Sequence, residues 1–176
     1  MKKQRQRGFS LIELLVVVTI ILIIAAIAIP NLLKAKGAAS ETSTVGTLKA
    51  VATANAVYSN QFNMYAASLT ALGGTPGSTS TCQAFQSLDN NLVTSLSAGI
   101  FKGWTFTYTP TGSAITQTTG PCAGTPGNPG FVIDAVPLNP AQGARSFCTD
   151  ESNTIHYDAA LSAPTTEATC ETLPTL

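Results

Sequence analysis

The sequence predicts an α+β protein, with a long N-terminal α-helix packed on a small antiparallel β-sheet head. Three observations lead there. Residues 9–29 form a 21-residue apolar run in which Glu13 is the only charged side chain. Further on, Val45, Leu48, Val51, Ala52, Tyr58 and Phe62 recur at helical spacing, with Glu41, Lys49 and Asn60 interleaved, as in an amphipathic helix. In Trp104-Thr105-Phe106-Thr107-Tyr108-Thr109 the period becomes two, so Trp104, Phe106 and Tyr108 share one face of a strand.

In chain order, Met1-Lys2-Lys3-Gln4-Arg5-Gln6-Arg7 carries four cations and no anion. The apolar run that follows matches the ~30 Å hydrocarbon core of a bilayer, which a helix of about 20 residues spans. A charge inside such a span costs on the order of 2.5–3.5 kcal/mol, so Glu13 calls for a functional partner. The basic leader stays cytoplasmic and everything after Ile29 lies across the membrane. Pro30 lacks an N–H and crowds the preceding turn, which predicts a kink or a local opening. The helix is expected over about 9–60. Gly73-Gly74-Thr75-Pro76-Gly77 and the Ser/Thr residues after it read as loop. Leu88, Leu92, Leu96 and Ile100 recur every four residues and predict a short helix over 88–98, ended by Gly99. After the Trp104 strand, residues 110–130 are rich in Gly, Pro and Thr and read as a long surface loop. Residues 131–136 form a strand ended by Pro137. Residues 144–149 and 154–157 flank Asp150-Glu151-Ser152-Asn153 as a hairpin. That gives a sheet of three or four strands. The tail, 159–176, is polar and lacks periodicity.

The stretch Gly8-Phe9-Ser10-Leu11-Ile12-Glu13-Leu14-Leu15, continuing through Ala28-Ile29-Pro30-Asn31, closely resembles the N-terminus of type IV pilins and of the related pseudopilins of type II secretion. The resemblance covers roughly the first third of the chain. It implies the pilin fold, with 1–8 a leader removed by prepilin peptidase and 9–30 a transmembrane and filament-core helix. Residues 31–63 would continue that helix and 64–176 would form the head. An ordinary secretory signal is cut after its apolar region, which is then discarded. The junction implied here, Gly8/Phe9, precedes the apolar region and keeps it in the mature protein. The same resemblance implies N-methylation of Phe9 and an assembly role for Glu13, pairing with the N-terminal amine of the neighbouring subunit. A buried carboxylate is tolerable when such a partner neutralises it. One departure is Leu22, where many relatives carry a glycine associated with helix melting. Leu22 is a good helix former, so any melted stretch would be shorter and centred nearer Pro30.

Without the leader, five Lys and Arg face nine Asp and Glu, a side-chain charge of about −4. Such a subunit offers no electrostatic grip on phosphate backbones, which argues against nucleic acid as a partner. Cys82, Cys122, Cys148 and Cys170 are an even set in an oxidising compartment. With no Cys-x-x-Cys and a single His they do not match zinc-site spacing, so neither metal nor cofactor is expected. Four cysteines allow three pairings. Resemblance to the C-terminal disulfide loop of many pilins favours Cys148–Cys170, and with it Cys82–Cys122. Asp150-Glu151-Ser152-Asn153 has turn chemistry rather than a calcium-loop pattern. His156 reads as a surface or edge residue, and no Gly-x-Ser-x-Gly accompanies it, so no enzyme is predicted.

The resemblance therefore implies a structural subunit that begins as a single-pass inner-membrane precursor with its head in the periplasm. It would polymerise with copies of itself into an extracellular type IV pilus for adhesion or twitching motility. Its further partners would be the prepilin peptidase, the inner-membrane assembly machinery and, before assembly, membrane lipid. A type II secretion pseudopilin and a minor pilin or adhesin are the competing readings.

Overall fold

The computed structural model describes residues 10–74, 81–120, 122–164 and 166–176. Residues 1–9, Gly8 and Phe9 among them, lie outside the described residues, as do residues 75–80. The chain divides into two compact units, Met1–Lys36 and Gly37–Leu176. The division falls inside the stretch expected as one amphipathic continuation, because burial begins only with the second unit.

Helix α1 runs over Leu11–Phe62, 52 residues. In the first unit it is helical on both sides of Pro30, whose missing N–H leaves the Ala26 carbonyl without its usual donor. The head begins with the C-terminal part of α1, followed by β1 (Tyr65–Ala66), α2 (Leu69–Leu72) and α3 (Asn90–Ser97). Then come β2 (Ile100–Phe101), β3 (Trp104–Thr111), β4 (Ile115–Thr116) and β5 (Pro126–Asn128). Last are β6 (Gly130–Pro137), β7 (Ser146–Asp150), β8 (His156–Asp158) and α4 (Glu167–Glu171). The described strands form an antiparallel five-stranded sheet, ordered β2-β3-β6-β7-β8, and a three-stranded one, ordered β1-β5-β4.

Register explains which face of the large sheet is buried. Phe106 pairs with Ala135 and Tyr108 with Ile133, while Ala135 also faces Phe147. Cross-strand partners point to the same side, so this row forms one apolar face. It joins Leu48, Val51, Ala52, Tyr58 and Phe62 of α1 in a single core. Burying each of the larger side chains contributes roughly 1.5–3 kcal/mol. Tyr58, Phe62 and Phe85 meet edge to face, with centroids 4.7–5.5 Å apart. Tyr108 stacks on Phe131 and donates its hydroxyl proton to the Ala66 carbonyl at 2.7 Å.

Several expectations need correction. The sheet has five strands rather than three or four, because the two-residue β2 folds back on β3 through Lys102-Gly103. Both residues have positive φ, 51° and 86°, the geometry of a type I′ hairpin turn. The 110–130 stretch is not all loop: β4 and β5 pair within it, and β5 reaches back to β1. The four-residue repeat stops at Leu96, and Ile100 is an exposed member of β2. Helix α3 instead starts at Asn90, because the Asp89 carboxylate accepts from Asn91 N–H and Leu92 N–H. Glu41, expected on a polar face, is 8% exposed and accepts two hydrogen bonds from the Arg145 guanidinium and one from Ala144 N–H. A Cβ on Gly143 would lie 2.7 Å from the Trp104 ring, so this close approach needs glycine. The tail forms α4 behind a Thr166 capping box, and Thr175 bridges to His156.

On the opposite face of the large sheet, Asp134 is 1% exposed, and neither carboxyl oxygen has a hydrogen-bond partner among the described residues. Burial pushes its carboxyl up to about 7, with its backbone and Thr107 pulling only partly the other way. The fold thus favours the protonated form. Its contribution is full below the unfolded value near 4 and is lost as pH rises through about 7. Thermal unfolding of the full chain in detergent at about pH 5 and about pH 9 checks this. Asp134→Asn should narrow the drop seen in the wild type, and an equal drop in both proteins would contradict the assignment.

Candidate functional site

The largest exposed apolar surface among the described residues lies in the first unit. Its large side chains range from 45% exposed at Val18 to 80% at Leu11 and continue through Leu32 and Leu33. None of its most apolar 18 residues is buried. A contiguous apolar surface of this extent marks a site of contact with lipid or protein. The backbone can remain helical there because a helix satisfies its own polar groups without water. Thr19 follows the same rule, donating its hydroxyl proton to the Val16 carbonyl at 2.8 Å.

Glu13 stands at the head of this surface. Its Oε2 accepts the Ser10 N–H at 2.9 Å, while Leu14 N–H donates to the Ser10 carbonyl at 3.3 Å. Ser10-Leu11-Ile12-Glu13 therefore works as a helix start in which the third residue after the cap reaches back to the cap backbone. The S-x-x-E spacing of Ser10 and Glu13 is the sequence signal for this start. The only acidic side chain of the apolar segment thus meets one of the orphan amides of its own helix.

The remaining site residues fall in different places. Pro30 and Leu22 are on the exposed apolar helix. The head holds both disulfides, Cys82–Cys122 and Cys148–Cys170. Cys82 and Cys122 belong to the main core, whereas Cys148 and Cys170 pack with Val132 on the other face of the sheet. His156 lies on edge strand β8, but it is only 7% exposed, and its Nδ1 bonds the Leu173 carbonyl at 2.8 Å. Among the described residues no group of His, Cys, Asp and Glu is arranged to hold a metal. A cleft of about 520 Å³ lies between the end of β3 and α4. It is lined by threonines, Pro110 and the carboxyl side chains of Glu167 and Glu171.

Residues 3–29 match the family model for the prokaryotic N-terminal methylation motif. The chain carries a prokaryotic N-terminal methylation motif. Over 72 residues it is 40% identical to the type IV major pilin protein PilA of Myxococcus xanthus, covering 41% of this chain and 33% of that protein. Over 66 residues it is 41% identical to the type IV wide pilus major component PilA4 of Thermus thermophilus, 38% of this chain and 50% of that one. The type II secretion system core protein G of Aeromonas hydrophila is 37% identical over 65 residues, 37% of this chain and 46% of that one. The chain thus spans between a third and a half of the curated relatives it matches. No solved structure matches it.

The capping role of Glu13 has a direct consequence. Glu13→Ala should speed hydrogen exchange of the first amides of α1 in detergent by roughly fivefold, the effect of losing a cap of about 1 kcal/mol. Glu13→Gln keeps a side-chain oxygen and should change it little. Equal exchange in Glu13→Ala and wild type would remove the cap from the account.

Proposed function

We propose that the mature chain is the structural subunit of a type IV pilus. It waits in the inner membrane with its head outside the cytoplasm and polymerises into an extracellular fibre. The observation that carries this reading is the exposed apolar helix of residues 11–33, with Glu13 in its first turn, overlapping the methylation motif matched over residues 3–29. A surface that is apolar and unburied can leave lipid only for other apolar helices, so one segment serves both the membrane and the filament core. Prepilin peptidase would cut between Gly8 and Phe9 and leave Phe9 N-methylated. The new amine would then meet Glu13 of a neighbouring copy, taking over the carboxylate that caps its own helix in the single chain. Pro30, with its missing donor, is where the helix would bend or open during packing. The chain would act through assembly rather than catalysis, with the inner-membrane assembly machinery extracting it. Adhesion and twitching motility are the activities this placement suits.

The similarity to a type II secretion core protein favours one second reading, a pseudopilin that builds a short fibre within a secretion machine. Shearing cells and quantifying this chain in the released filaments separates the two. For a pilus subunit it should be abundant in the sheared fraction, and Glu13→Ala should abolish that yield while the protein stays in the membrane. Retention of the wild type in the membrane would favour the pseudopilin, and an unchanged yield in Glu13→Ala would refute the pairing.

A further inference from the structure

The last eleven residues, 166–176, cross the face of the large sheet that holds Asp134. Their second half is sewn to the sheet by main-chain bonds: Tyr157 N–H to the Pro174 carbonyl at 2.9 Å and Leu176 N–H to the Ile155 carbonyl at 3.0 Å. The Cys148–Cys170 bridge anchors the middle. The first half is the five-residue α4, too short to persist without tertiary contacts. Away from the bridge, Glu167 meets the end of β3, where Thr111 Oγ1 donates to its Oε2 at 3.3 Å.

A second carboxyl occupies the same spot. Glu151, just beyond β7, extends over Gly130 so that both of its oxygens lie 3.2 Å from where a Cβ on that glycine would stand. Thr111 Oγ1 is 2.5 Å from the same point. Gly130 pairs with Thr111 in the sheet, so Thr111, Glu151 and Glu167 converge at one end of the β3–β6 ladder. Glu151 Oε2 is buried there without a hydrogen-bond partner among the described residues, and the Glu167 carboxyl is its neighbour. Two carboxyl groups can hydrogen-bond each other only when one carries the proton that it donates. The ion pair found among the described residues, Glu41–Arg145, is elsewhere.

We infer that the C-terminal strap is latched by a proton shared between Glu151 and Glu167, and that loss of this proton frees α4 about its Cys148–Cys170 anchor. The neighbouring carboxyls of Asp150 and Glu167 favour the proton on Glu151, opposed by a backbone hydrogen bond to Glu151, while the Thr111 hydroxyl donates to Glu167. Asp150 adjoins Glu151 on its own strand, and Glu167 and Glu171 come from α4; β3 and β6 contribute Thr111 and Gly130, which do not titrate. Asp134 lies further along β6. Burial, and then the neighbouring Glu167, hold the Glu151 carboxyl up at about 7. The latch is therefore closed in mild acid and opens as pH rises through neutrality, where two carboxylates would repel across the contact. Opening would widen the cleft between β3 and α4 while the disulfide keeps the strap attached.

The test is hydrogen exchange of the full-length chain in detergent micelles, corrected for the intrinsic pH dependence and read on peptides covering 164–173. Protection of the Cys170 amide, which donates to the Thr166 carbonyl, should fall by roughly tenfold or more between about pH 5 and about pH 9. Glu151→Gln supplies a permanent donor to Glu167, and Glu167→Gln supplies one to Glu151. Either variant should hold protection nearly level across that range. A level wild-type profile would overturn the latch. So would a fall that persists unchanged in both variants and disappears in Asp134→Asn, which would assign the titration to the buried aspartate.

Discussion

The structure depends on a solvation constraint: a 21-residue apolar stretch with one carboxylate must be kept out of water. Its large side chains from Leu11 to Leu33 are all exposed. Only two surroundings satisfy such a helix, the hydrocarbon of a bilayer or the apolar faces of other helices. Glu13 makes the constraint sharper. A carboxylate in either setting needs a donor. In the single chain that donor is the Ser10 N–H, an amide that a helix start leaves unpaired in any case.

The head solves a different problem, that of giving the rest of α1 a partner. From Gly37 onward the helix becomes striped, and the stripe of Leu48, Val51, Tyr58 and Phe62 is closed by one face of the five-stranded sheet. Polar anchors fix the helix lengthwise on that face. Glu41 is held by Arg145 and Ala144 N–H near one end, and Asn55 accepts from Tyr108 further along. Each anchor satisfies a group that would be costly to bury alone, so a displaced helix would lose both. The disulfides secure the parts of the head with least regular structure. Cys82–Cys122 ties the long connection after α2 to the irregular region before β5, and Cys148–Cys170 holds the tail to β7.

The clearest elements in the sequence were those whose burial pattern is unbroken. The apolar run, the α1 stripe and the alternation from Trp104 to Tyr108 each repeat one period without interruption, and each is present as a regular element. What sequence reading missed depended on pairing across distance. β4 and β5 are two and three residues long; they pair with each other, and β5 also finds β1, some sixty positions earlier. Glu41 looked solvated because its partner is more than a hundred residues away, beyond Gly143. Helix α4 has no apolar stripe of its own and rests on a capping box and a disulfide. Within the functional segment, the apolar surface was legible from composition. The Ser10–Glu13 cap was written in a four-residue spacing, but the same glutamate also suggested a partner on another chain.

The most direct test of the account is the intact mass of this chain recovered from the cell envelope and its filaments. A mass equal to residues 9–176 with one N-methyl group and two disulfides, beginning at N-methylphenylalanine, would establish that the apolar helix is kept and the basic leader removed. A chain that still begins at Met1, or one that has lost the apolar segment altogether, would contradict it.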